Sequence, residues 1–487
     1  MQNIEQAGII VNPKSEILRQ RRISLRLRNP KSSVVIVGAG ISGLCVAYWL
    51  KKNGISVTLL ERDASVGGTM KTIREEGWMI ESGPNSALET TPLLQELFTE
   101  LGIVERRLYA SEAASKRFIV RGSRLRALPM SAGSFLRSDL WSLTGKLRLL
   151  KEPFVGRARR EETVAEFVER RLGKEFLDYA INPFVAGVYA GDPARLSVQS
   201  AFPKLYALEK EHGGLIMGAI ASRKERKKRK EIAKDRARLF SFRDGMQTFP
   251  YAIAAALGDA VQLNTSVEQI IPMRAGKYPV YTIAASQNGV RQTIQADAVV
   301  LSTPAYVAAN IVRAIDPDMA STLESIYYPP VAEVFLGFRQ EQVKRVLDGF
   351  GFLVPEIERR NILGTIWSST LFPHRAPEGC VALTSFVGGA RQPELVSRDD
   401  EEISRLVRGE LKALMGVEGE PIFTKTIRWD RAIPQYNIGY HKTLAAMDRF
   451  EENFQRAFLC SNYRGGIAVG DCLMNAESTV KRVLAVL

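Results

Sequence analysis

The segment from Val34 to Gly68 constrains this chain more than any other. An apolar strand, a glycine turn, a helix, a second strand, an acidic residue and a second glycine pair follow one another in order. Val34, Val35, Ile36 and Val37 form a β-branched run suited to a strand buried on both faces of a parallel sheet. Gly38, Gly40 and Gly43 then stand at G-x-G-x-x-G spacing, with Ala39, Ile41 and Ser42 between them. The first glycine permits a tight turn, the second lets a pyrophosphate approach the backbone, and the third lets the next helix pack closely on the sheet. Free N–H groups at that helix start attract phosphate. A helix from about Ile41 to Asn53 ends at Gly54, and Ser56 to Leu60 is a second strand. Glu61 closes that strand about twenty residues beyond the turn, where a carboxylate takes ribose hydroxyls. A lone glycine triplet would be weak, but the complete βαβ context reads as a dinucleotide cradle.

The charge pattern could point elsewhere, because 67 basic residues against 53 acidic ones give a formal net charge of +14. Two segments carry most of the excess. Seven basic residues oppose two acidic ones between Met1 and Ser33, and ten oppose three between Ala221 and Arg238. The second segment lacks aromatics and any nucleic-acid motif, so no nucleic-acid partner is expected. It reads as a solvated helix face or as a contact for anionic lipid through Lys227, Lys228, Arg229 and Lys230. The uncharged run Ser32 to Leu50 imitates a membrane span, yet it holds the whole glycine turn and is expected to be a buried strand and helix. The leader before it reads as a tail or as an Arg-rich organelle presequence, a reading its two glutamates weaken.

Cys45, Cys380, Cys460 and Cys472 show no metal or disulfide spacing, and His212, His374 and His441 are scattered. No metal is expected, the cysteines read as small buried hydrophobes, and the compartment as reducing. At 487 residues the chain is expected to form several units. The expected fold is mixed α/β and α+β: a Rossmann-like domain built from 32–111, 240–306 and 451–487, a helical unit over 112–239, and a largely antiparallel unit over 307–450, after a basic extension 1–31. Val261 to Val267 and Ala298 to Leu301 are expected as strands of the nucleotide sheet, and Ala457 to Ser461 with Gly465 to Asp471 returns the end of the chain to it.

Arg62 through Gly67-Gly68-Thr69 resembles the glycine pair found in FAD enzymes of the amine oxidase superfamily. Four further segments resemble the oxygen-dependent protoporphyrinogen oxidase family within it: Gly83-Pro84-Asn85-Ser86, Asn182 to Pro193, Ile362 to Pro373, and Tyr463 to Cys472. The match runs from about residue 32 to 487. The resemblance implies an FAD domain, a substrate domain and a helical domain that seats the enzyme on a membrane, either the inner face of the cell membrane from the cytoplasm or, if the leader is a presequence, within a mitochondrion or chloroplast. It implies oxidation of protoporphyrinogen IX to protoporphyrin IX in three two-electron steps, with hydride passing to the flavin and molecular oxygen regenerating it as hydrogen peroxide forms. A homodimer is left open.

Residue roles follow from the same resemblance. Arg117 would pair with a substrate propionate, a task suited to a guanidinium fork. Gly187 would let a pyrrole ring lie close to the backbone, Leu353 and Phe372 would sandwich the macrocycle, and Asn85 would sit beside both flavin and substrate. Val267 would meet adenine through its backbone, Trp429 would stand beside the flavin, and Ile467, Ala468, Val469, Gly470 and Asp471 would hold its ribitol side. Three rivals stay open: coproporphyrinogen III as substrate, an amine oxidase or carotenoid desaturase, and a noncatalytic flavin-binding scaffold.

Overall fold

The computed structural model describes residues 32–221 and 237–487, so the expectations placed on residues 1–31 and on Lys227 to Lys230 lie outside the described residues. The chain enters on β1 (Ser33–Val37), turns through the glycines into α1 (Ile41–Lys52) and returns on β2 (Ser56–Leu60). Four short strands follow: β3 (Thr72–Glu75), β4 (Trp78–Glu81), β5 (Ala87–Leu88) and, after α2 (Pro92–Glu100), β6 (Arg107–Tyr109). Next come the hairpin β7 (Lys116–Arg121) and β8 (Arg124–Ala127), then a helical stretch that includes α3 (Val164–Leu172) and α4 (Asn182–Tyr189). The second half supplies β9 (Leu239–Phe242), β10 (Val261–Gln262), β11 (Thr265–Ala275), β12 (Tyr278–Gln287), β13 (Val290–Ala296) and β14 (Ala298–Leu301). It continues through β15 (Val331–Arg339), β16 (Gly349–Leu353), β17 (Gly364–Ile366), β18 (Cys380–Gly388), α5 (Asp400–Met415), β19 (Phe423–Trp429), β20 (Ala457–Leu459) and the terminal α6 (Val469–Val486).

A five-stranded parallel sheet in the order β10-β2-β1-β14-β20 forms the nucleotide domain. Its apolar first strand has a physical reason: Val34 and Ile36 enter the core shared with Leu44, Leu50 and Leu473, while Val35 and Val37 enter the core on the opposite face. The expected strand from Val261 to Val267 is divided. Only Val261 and Gln262 pair with β2, after which Asn264 takes a left-handed φ of 52° and β11 leaves for a separate antiparallel sheet with β12 and β13.

The larger sheet has seven strands in the order β19-β15-β18-β17-β16-β7-β8. Here the expected boundary of the helical unit moves, because Lys116 to Ala127 belongs to this sheet: β7 runs parallel to β16 and pairs Ile119 with Leu353. Short alternating strands far apart in sequence carry no local sign of their partner, so the join was not legible in the sequence. On β15, Ala332, Val334, Leu336 and Phe338 meet Ile403, Val407 and Leu411 of α5, which leaves Val331, Glu333 and Phe335 on the other face. That other face packs Val331 against α4, Phe335 against β4, and Glu333 against Asn85.

Between β8 and β9 the described residues form helices joined by irregular segments. Thr163 and Glu166 form a capping box that opens α3, and buried Arg171 binds Glu152 and Glu209 to lock the helices together. Among the described residues no helix is long and apolar enough to cross a membrane.

Candidate cofactor and substrate site

Four segments distant in sequence converge at the N-terminal ends of α1 and α6. Gly38 has φ 99°, and a Cβ there would stand 2.9 Å from the Ser302 carbonyl oxygen. A Cβ on Gly43 would meet the Gly38 carbonyl oxygen at 2.0 Å, which fixes glycine as the residue that lets α1 lie on the turn. Gly40, the residue preceding α1, has nothing within 4 Å of the Cβ position, so its backbone borders open space. Gly67 donates its N–H to the Ala39 carbonyl at 2.8 Å, and Gly68 stacks over Gly40. A Cβ on Gly83 would meet the Thr69 carbonyl oxygen at 2.1 Å, and one on Gly470 the Thr90 hydroxyl at 2.4 Å. Ala39, Ile41, Ser42, Thr69, Pro84, Ser86, Ile467, Ala468, Val469 and Asp471 belong to these same four segments.

The carboxylate of Glu61 accepts the Ala39 N–H at 2.7 Å and the Asp63 N–H at 2.9 Å. It thus closes the acidic end of the cradle, with acceptor capacity left for hydroxyls. Thr265 donates its N–H to the Glu61 carbonyl, which brings the start of β11 and Val267 to this end, and Val267 lies at a bulge in that strand. Arg62 points outward and pairs with Asp63 at 3.6 Å. Three of the four cysteines are buried around these helices. Burial pushes the Cys460 thiol up to about 11 and that of Cys472 to about 12, as expected of inert hydrophobes.

The loop from Gly83 to Ser86 is held by a buried polar network that the sequence reading missed. Arg375, 1% exposed, donates to the Asn85 carbonyl at 2.6 Å, to Asn85 Oδ1 at 3.3 Å, to Glu81 Oε1 at 3.2 Å and to Ser241 at 3.0 Å. Asn85 Nδ2 donates to Glu333 Oε1 at 3.2 Å. Burial raises both carboxyls: Glu81 moves up against the opposing pull of Arg375, and Glu333 reaches about 8. A signal was present in the sequence, since Glu81 follows three apolar residues and Glu333 lies within the apolar run Val331 to Leu336. Trp429 donates Nε1–H to the Ser82 carbonyl at 2.7 Å, so its indole braces the same loop.

Across the larger sheet one row of directly opposed residues runs Glu333, Phe386, Gly364, Leu353 and Ile119 on the face towards α4. Gly187 of α4 lies against it, and a Cβ there would stand 2.4 Å from a Leu353 methyl. Arg117 lies two residues before Ile119 and therefore shares this face. Lys116, Arg121 and Arg126 pair with Asp348, Glu175 and Asp139, whereas exposed Arg117 makes no ion pair among the described residues and lies over the Phe350 ring. Phe372 departs from its expected place. It is 1% exposed, packs on Leu371 and Ala114 and carries the Arg375 guanidinium over its ring, so it supports the buried network and lines no open surface.

This arrangement suits FAD: two helix N-termini with glycine-lined approaches, a carboxylate at the ribose end and a braced loop at the other. The model of flavin-containing amine oxidoreductases matches residues 41–484. Protoporphyrinogen oxidase 2, chloroplastic/mitochondrial, of Arabidopsis thaliana is 33% identical over 93% of this chain and 94% of its own length. The chain belongs to the protoporphyrinogen oxidase family of flavin-containing amine oxidoreductases. It is an FAD-dependent oxidoreductase. Coproporphyrinogen III oxidase of Bacillus subtilis (strain 168) is 28% identical over 94% of this chain and 99% of its own length. The fold matches that of a crystallised Exiguobacterium sp. 255-15 protein with a TM-score of 0.76 at 23% identity, covering 93% and 98% of the two chains.

Proposed function

We propose that this family member oxidises protoporphyrinogen IX to protoporphyrin IX, with molecular oxygen as the final acceptor. The observation that carries this reading is Arg117, which shares the face of Ile119 and Leu353, makes no ion pair among the described residues and lies over the Phe350 ring, while Lys116, Arg121 and Arg126 are matched by carboxylates. A guanidinium without a carboxylate partner suits a macrocycle held by a propionate edge. Bound FAD would supply the hydride acceptor, and the chain supplies the placement. Leu353 and Phe386 offer apolar area to the flat rings, and Gly187 removes the bulk that would hold them away. Arg117 anchors the outer end and the braced Asn85 loop marks the inner one. No nucleophile or metal cluster is needed for such chemistry.

The helical unit supports a further part of the reading, namely peripheral attachment to a membrane. Leu143, Leu147, Leu150 and Phe154 follow at helical spacing and are 72%, 53%, 70% and 89% exposed, the reverse of a core-facing stripe. Leu136, Met217 and Ile220 add exposed apolar surface from the same unit. Such a surface suits insertion into a lipid interface, from which a poorly soluble tetrapyrrole would be drawn. Localisation on the inner face of the cell membrane belongs to this proposal.

Comparison of kcat/KM for protoporphyrinogen IX and coproporphyrinogen III tests the substrate. A clear preference for the former is expected, and a preference for the latter would reassign the substrate.

A further inference from the structure

Glu333 is the sole acidic residue of β15, and it stands at 2% exposure between two apolar groups. Val331 with Ala186, Ala190 and Leu363 lies on one side, and Phe335 with Trp78 and Ile80 on the other. The flanking strands offer it only Phe386 of β18 and Ile427 of β19. Charged neighbours come from Glu81 of β4 and Arg375, and its hydrogen-bond partner is Asn85. Glu81 is the better satisfied carboxylate, with Arg375, the Met246 N–H and the Thr72 hydroxyl all directed at it. One buried guanidinium can match one of the two carboxylates, so the second is the one that keeps a proton.

We propose that Glu333 is a positioning residue whose ionisation, acting through Asn85, sets how readily the flavin beside the Gly83–Ser86 loop accepts electrons. The inference rests on the reading that places the flavin ring beside that loop. Reduction adds two electrons and one proton to the bound group, a net gain of one negative charge. An ionised Glu333 leaves an unmatched buried charge that opposes this gain, and a protonated one does not. The structure supports the assignment: Asn85 is clamped on its carbonyl side by Arg375, so its amide nitrogen faces Glu333, and burial holds that carboxyl up to about 8.

The test is an anaerobic equilibrium of the FAD-loaded protein with a reduced reference dye between about pH 6 and pH 9.5. The Glu333→Gln variant should match the parent at about pH 6. At about pH 9 its flavin should be reduced with an equilibrium constant on the order of tenfold larger. Glu333→Asp should restore the pH dependence, which a loss of packing would not produce. If parent and Gln variant coincide across the range with FAD bound to both, the proposal is wrong. If the Gln variant does not retain FAD, the parent decides: its visible flavin spectrum should titrate once between about pH 7 and pH 9.5, and a flat spectrum overturns the idea. Failure of a porphyrinogen to reduce the flavin would defeat the proposed substrate while leaving this dye equilibrium intact.

Discussion

In the proposed reading the Arg117 guanidinium anchors the substrate. Truncation of Arg117 to Ala should raise KM for the porphyrinogen roughly tenfold to a hundredfold, the cost of about 1.5–3 kcal/mol for a lost charge-assisted hydrogen bond, with FAD retained. Loss of FAD instead would place Arg117 elsewhere. Glu333 carries a second consequence at this scale, in stability. Its folded pKa near 8 exceeds the unfolded value of a glutamate, so the native state holds a proton that the unfolded chain releases. Stability is therefore lost as pH rises between roughly 4.3 and 8, by up to about 1.4 kcal/mol per unit, and is level above that window. Denaturant melts of Glu333→Gln and parent protein should diverge in favour of the variant as pH rises through it. Parallel melts would show that Glu333 stays ionised.

At the scale of elements, the cradle depends on contacts too close for any side chain. Gly43→Ala would force a Cβ to 2.0 Å from a backbone oxygen, and Gly83→Ala to 2.1 Å, with no flexible group able to give way. Both variants should purify without flavin absorbance, and a yellow Gly43→Ala protein would contradict the packing described. Gly187→Ala is a different case, since its Cβ meets a Leu353 methyl that can move. What could be foreseen from sequence follows the same division. The βαβ cradle is local, so glycine spacing and strand pattern marked it, and the helix from Ile41 ends at Lys52, one residue from its expected place. The buried network depends on Arg375 meeting Asn85 and Glu81 across nearly 300 positions, and Phe372 was misplaced because that partner was unseen. The attachment of β7 to β16 was hidden for the same reason.

At the scale of the whole molecule, the seven-stranded sheet carries Glu333 and Phe335 against the Gly83–Ser86 loop and β4, and a helical unit presents apolar side chains outward. Serine at Leu147, Leu150 and Phe154 should reduce co-sedimentation with anionic vesicles severalfold while leaving activity on detergent-dispersed substrate unchanged. Undiminished sedimentation would remove this surface from the membrane account. The central claim is that a porphyrinogen delivers its electrons to the FAD of this chain, and anaerobic mixing followed by flavin absorbance tests it most directly. One equivalent of protoporphyrinogen IX should bleach close to three equivalents of bound flavin, because six electrons leave it in pairs. Flavin that stays oxidised with protoporphyrinogen IX, yet bleaches with a simple amine, would contradict the account.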